Sequence, residues 1–148
     1  MLWKERSLLG SNAMITSNQL DEFTLAYIEA ALWSSNDDSN ERGGDLLDKD
    51  HSIEDIDPDT LAKMVDDCRQ FQEENAADLA RYNHPCWTAT ELGGHDFWLT
   101  RNGHGCGFWD RTDCLPKGAR DRLTAAAEKA REYYLYLGDD GIIYGECC

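Results

Sequence analysis

The sequence predicts one α+β domain with elements in the order α-α-β-β-α-β-β, a small antiparallel sheet packed against helices. Three observations predict it. Two early segments carry apolar residues at helical spacing, and a third, Leu115 to about Glu132, repeats the pattern. Between and after these lie short stretches rich in aromatic and β-branched residues, bounded by Gly, Asn and Asp. The chain has 148 residues, enough for one core, so residues 14–148 are expected to form a single domain.

The first thirteen residues stand apart. Gly10-Ser11-Asn12-Ala13 ahead of Met14 reads as an expression-vector scar, or as part of a start placed too early, and Met14 is the expected beginning. Thr16-Ser17-Asn18 offer N-caps, Asp21 and Glu22 suit a first helical turn, and the first helix runs to about Ser34. Leu20, Phe23, Tyr27 and Ala31 make one stripe and Leu25, Ile28 and Leu32 another, so this helix is expected to be covered on several sides, with Trp33 in the core at its end. Asn36 to Asp50 is an acidic loop whose Asp45, Asp48 and Asp50 lack the alternating spacing of a calcium site. Asp57-Pro58 opens the second helix, an N-cap followed by proline at the first helical position. Leu61, Met64, Val65, Cys68, Phe71, Ala76 and Leu79 recur there at steps of three and four, over roughly 25 residues or about 37 Å. Asn83-His84-Pro85 ends it, because the residue before proline is pushed out of the helical region. In the third helix Leu123, Ala126, Ala127 and Ala130 form a narrow stripe. Tyr134 to Leu137 and Ile142 to Tyr144 are two short strands joined by the turn Gly138-Asp139-Asp140-Gly141.

The densest mixture of rings, glycine and titratable groups is Gly93 to Arg111, with two each of His, Asp, Arg, Trp and Phe and five Gly. Asp96 to Arg101 reads as a strand, Phe108 to Arg111 as another, and Asn102-Gly103 as the start of a tight turn, which together predict an antiparallel hairpin. One register pairs Trp98 with Trp109 and Asp96 with Arg111 and sets all four on one face. The alternation that does so parts His95 from Asp96. Arg101 and Arg111 are expected to serve as ion-pair partners for Asp96 and Asp110.

This block, HDFWLTRNGHG-x-GFWDR, with DRLTAAA and YLYLGDDGIIY after it, resembles a family of small phage and prophage proteins over about Met14 to Tyr144. Cys106 stands where the family has a small residue such as Ala, and the Cys147-Cys148 tail differs from it. The resemblance implies a viral setting and brings no catalytic residues with it.

Lys+Arg number 14 against 29 Asp+Glu, a net charge of −15. That charge argues against gripping nucleic acid by phosphate neutralisation and against anionic membranes, and no apolar run is long enough to span a bilayer. Met14 to Ala80 holds 18 acids and 4 bases, Arg81 to Cys148 10 acids and 8 bases, so the acidity belongs to the helical half. Its outer second-helix face carries Asp66, Asp67, Glu73, Glu74 and Asp78. Six cysteines without a CxxC pair or secretory signal read as reduced thiols of a cytoplasm.

Three functional classes follow. The first is a small phage-type accessory protein in the host cytoplasm that binds another macromolecule, a host or phage protein above all, through the 93–111 hairpin, the acidic helix, or both. Its binding residues would be Asp96, Trp98, Arg101, Asn102, His104, Trp109 and Arg111. The second is a nucleic-acid mimic, its carboxylates occupying the basic groove of a host defence or DNA-processing factor. The third is a small metal- or His-dependent enzyme centred on His95 and His104, with Cys106 and Cys114 as further zinc-type ligands in a spacing that fits no standard site. No catalytic residue, metal ligand or cofactor is assigned.

Overall fold

Asp21 accepts a hydrogen bond from the Thr24 backbone N–H (2.8 Å) and starts α1, Glu22–Ser34. The structure, a computed structural model, describes residues 20–37, 45–104 and 107–147. The segment Met1 to Ala13, the caps expected at Thr16 to Asn18, Gly43-Gly44, Cys106 and Cys148 lie outside the described residues. The two stripes expected on α1 do bury most of it, including Phe23, Tyr27, Ile28, Ala31 and Leu32. Trp33 departs from expectation: it is 40% exposed, on the outer face of a last turn whose Ala30, Ala31 and Leu32 are buried.

The loop expected at Asn36 to Asp50 is partly regular. Strands β1 (Asn36–Asp37) and β2 (Asp45–Leu46) pair antiparallel, and Leu47 behind them is fully buried. Helix α2 spans Pro58–Leu79, with Asp57 accepting from the Thr60 N–H (3.1 Å) and proline in the first turn, as the sequence requires. Its apolar stripe turns Leu61, Met64, Cys68 and Phe71 inward.

Helix α3, Ala89–Arg101, replaces the first strand of the predicted hairpin, and Phe108–Asp110 is one 3₁₀ turn rather than the second. The physical reasons are visible at both ends. Thr88 and Glu91 form a reciprocal capping box at the start. At the other end Asn102-Gly103 closes the helix instead of opening a hairpin. Gly103 has φ +73°, its N–H donates to Thr100 O (3.2 Å) and the His104 N–H to Leu99 O (2.8 Å), the paired bonds of a Schellman cap. Between them Leu92 to Arg101 is buried apart from His95, and tertiary burial overrides the strand preference of Phe97, Trp98 and Thr100.

Helix α4 covers Lys117–Lys129, and β3 (Tyr133–Leu137) pairs antiparallel with β4 (Ile143–Cys147). A parallel bridge from Ile56 to Ile143 joins this ribbon to the segment before α2. With the central hairpin gone, each sheet among the described residues has two strands. The α+β class stands, as helices packed with a two-stranded antiparallel ribbon.

The core is aromatic where the helices meet. The Phe71 and Phe97 rings stack with centroids 4.0 Å apart, Phe108 lies 5.8 Å from Phe71, and Trp98 meets Tyr27 edge-on at 5.3 Å. Such pairs contribute about 1 kcal/mol each beyond area burial. Helices α1 and α3 approach most closely at Gly94, where a Cβ would sit 2.0 Å from the Phe23 carbonyl oxygen. That crossing brings the outer turns of the two helices side by side and sets the site described next.

Candidate functional site

The site grows from one buried carboxylate. Asp96 has no exposure. A buried charge is tolerated only when its oxygens are satisfied, and here they are. Arg111 donates through Nε (2.8 Å) and Nη2 (2.9 Å), the Tyr82 hydroxyl donates to Oδ2, and His95 Nδ1 lies 3.0 Å from Oδ1. Burial, then the neighbouring Asp96 charge, push the Tyr82 hydroxyl far above its usual range. The hydrogen bond to Asp96 holds Arg111 firmly protonated despite partial burial.

This corrects the sequence reading of His95. In a strand it would face away from Asp96, but on the helix the two neighbours touch. Because Arg111 already neutralises the Asp96 carboxylate, the hydrogen between them belongs to His95 Nδ1, and Nε2 lies on the far side of the ring. His84 is held the opposite way. Its Nδ1 accepts from the backbone N–H groups of Cys86 (3.0 Å) and Trp87 (3.3 Å), so the neutral ring carries its hydrogen on Nε2.

Both imidazoles line one cleft of about 410 Å³. From α1 come Ala26, Glu29, Ala30 and Trp33, spaced three, one and three residues apart and so on one helix face. The rest of the lining is His84, Trp87, Glu91, Leu92 and His95, with Arg111. Trp87 is 55% exposed, and the Trp33 ring lies 5.8 Å from that of His95. Glu29 is exposed with no ion pair or hydrogen bond among the described residues, while Glu91 also serves the α3 cap.

The residues singled out from sequence are dispersed by the helix. Trp98 is 2% exposed, with its Nε1–H donating to Ser34 Oγ (2.7 Å), whereas Trp109 is 50% exposed. The two indoles therefore do not share a face. Arg101 is buried and structural: it donates to Tyr27 Oη, Asp67 and the carbonyls of Ala130 and Arg131, and so caps the C-terminus of α4. Asn102 ties α3 to β3, accepting from the Tyr133 N–H (2.9 Å). His104 is exposed beyond the α3 cap and away from the cleft lining, so it does not join His95. Asp96 and Arg111 do pair, as expected, although across a helix and a turn rather than across two strands.

The carboxylates of α2 are interleaved with cations. Arg69 bridges Asp66 (2.6 Å) and Glu73 (3.0 Å), Lys63 and Arg101 hold Asp67, and Arg122 holds Asp78 in a two-point contact. Glu74 accepts from Gln70 (3.2 Å). Cationic partners thus sit beside several of the carboxylates that mimicry of a phosphate backbone would use. Among the described residues no three His, Cys, Asp or Glu side chains converge as metal ligands. Burial raises the thiols of Cys68 and Cys114 above their usual range, the opposite of an activated nucleophile.

Sequence reasoning missed Glu29, His84, Trp87 and Glu91, and placed Trp33 in the core. A signal for part of the set was present: Glu29 and Trp33 are four apart on a helix, as are Glu91 and His95 once α3 is read as helical from its Thr88–Glu91 cap. Comparison with family models, with curated proteins and with solved structures finds no match.

Proposed function

We propose that the chain is a small accessory protein of phage type, working in the host cytoplasm by binding a host or phage protein, and that the cleft between α1 and α3 is its binding site. One observation carries this reading. Trp33 and Trp87 stand 40% and 55% exposed on either side of a preformed cleft, although the fold buries Trp98 almost completely. Large rings held at the rim of a concave, partly apolar site are what protein interfaces use as anchors. Among the described residues no helix is long and apolar enough to cross a membrane, and the resemblance of the HDFWLTRNGHG block supplies the viral setting. The test is photocrosslinking in infected cells from a benzophenone amino acid at position 33 or 87, with position 139 on the distant β-turn as reference. Discrete protein adducts from 33 and 87 but not from 139 are expected. No adduct from the cleft positions, or equal labelling from 139, overturns the reading.

The His95–Asp96 contact favours a second reading, an enzyme in which His95 takes a proton inside the same cleft. The two part over the partner: recovered intact from a binding protein, recovered chemically altered, and only when His95 is present, from an enzyme.

A further inference from the structure

Resting on the protein-binding reading, we propose that the cleft takes a cationic side chain, a lysine ammonium or an arginine guanidinium, projecting from the partner.

The lining carries the argument. Two indole rings, Trp33 and Trp87, offer faces of negative quadrupole to a cation. Two carboxylates, Glu29 and Glu91, add formal negative charge, and no ion pair of either is recorded among the described residues. The one cation in the lining, Arg111, is already balanced by Asp96 through two hydrogen bonds. Counting Glu29 and Glu91 against Arg111 alone, the formal charge of the carboxylate and guanidinium groups in the lining is negative. His95 adds direction: with Nδ1 committed to Asp96, Nε2 is the ring nitrogen left to meet a guest. A guest with N–H donors on a positive centre meets two carboxylates and two π faces, against one imidazole N–H from His84. A carboxylate guest would meet Glu29 and Glu91 as like charges. The apolar lining residues Ala26 and Leu92 suit the methylene stem that lysine and arginine carry behind the charge. The protein's net charge of −15 steers a basic partner toward it from a distance.

The experiment uses the full chain and blocked five-residue peptides, Ala-Ala-X-Ala-Ala, with X lysine, arginine, norleucine or glutamate. Binding is read from the indole N–H resonances, assigned with Trp33→Phe and Trp87→Phe. Lysine and arginine peptides are expected to shift the Trp33 and Trp87 signals and to bind about tenfold tighter than norleucine, the difference of one cation–π and charge contribution. Glu29→Gln and Glu91→Gln should each weaken cation binding about threefold to tenfold and leave norleucine unchanged. Glutamine at 91 retains the α3 capping box, and unchanged melting temperatures show that both variants are folded. Equal binding of lysine and norleucine overturns the cation assignment, as does tighter binding of glutamate. So does the absence of any shift at Trp33 and Trp87 up to about 10 mM peptide, weaker than any useful anchor. Each of these outcomes leaves the photocrosslinking result to decide separately whether the cleft binds protein at all.

Discussion

Asp96 shows what a single residue does here. Its carboxylate is the meeting point of α3, of the Arg111 segment and of Tyr82, and it fixes which nitrogen of His95 is free. Asp96→Asn keeps the shape and removes the charge, leaving the Arg111 guanidinium without its counter-ion and the His95 Nδ1–H facing an amide. We expect a loss of about 3 kcal/mol, since breaking a buried pair strands the remaining charge; urea denaturation of the two proteins measures it. Loss of less than about 1 kcal/mol would mean that water satisfies the pair as well as the protein does. Trp98 carries a different lesson. Its indole was expected on a surface, but Ser34 accepts its N–H inside the protein, and a satisfied indole is free to be core.

Helix α3 is the element on which the site depends. Its closeness to α1 rests on Gly94, so Gly94→Ala should push a methyl group into the Phe23 carbonyl and cost about 3 kcal/mol, as overpacking against backbone does. Gly103→Ala, at φ +73° but with open space around it, should cost only about 1 kcal/mol. Melting temperatures of the two variants check the ranking, and the reverse order would contradict the packing described. The same helix marks the limit of what was legible in the sequence. Helix α2 was readable because one stripe and one Asp-Pro start point the same way, and the β3–β4 ribbon because Gly138 to Gly141 marks its turn. In α3 the residues themselves conflict: Phe97, Trp98 and Thr100 prefer strands, and Asn102-Gly103 serves a hairpin and a helix cap equally well. Only burial against α1 and α2 decides between them, and burial is not local. The cleft inherits the difficulty, since Glu91 and His95 share a face only on a helix, and His84 and Trp87 lie in a loop without any period.

Across the whole molecule, acidity and fold are linked. The Arg122 hydrogen bond holds the Asp78 carboxyl below its usual range. Burial raises Asp21, but the bonds from Thr24 and Gln72 outweigh it and the net direction is again downward. Asp121 and Asp140 are lowered by their bonds to Lys117 and Tyr144. A carboxyl lowered in the folded state contributes stability that is present above the unfolded value of 3.8 and is lost as pH falls through the folded value. Stability should therefore decline below about pH 4, and Asp78→Asn should flatten that decline by lowering stability at pH 7 while changing little in acid; urea midpoints from acid to neutral pH test it, and an unchanged slope would contradict the pairing with Arg122.

The central claim is that partners dock on the cleft between α1 and α3. Amide hydrogen exchange of the chain, free and bound to the protein it captures, tests this most directly. Slowed exchange concentrated in residues 26–33 and 84–95, with α2 unchanged over 66–78, is the result expected. Protection centred on 66–78, with the cleft residues exchanging as in the free protein, would contradict it.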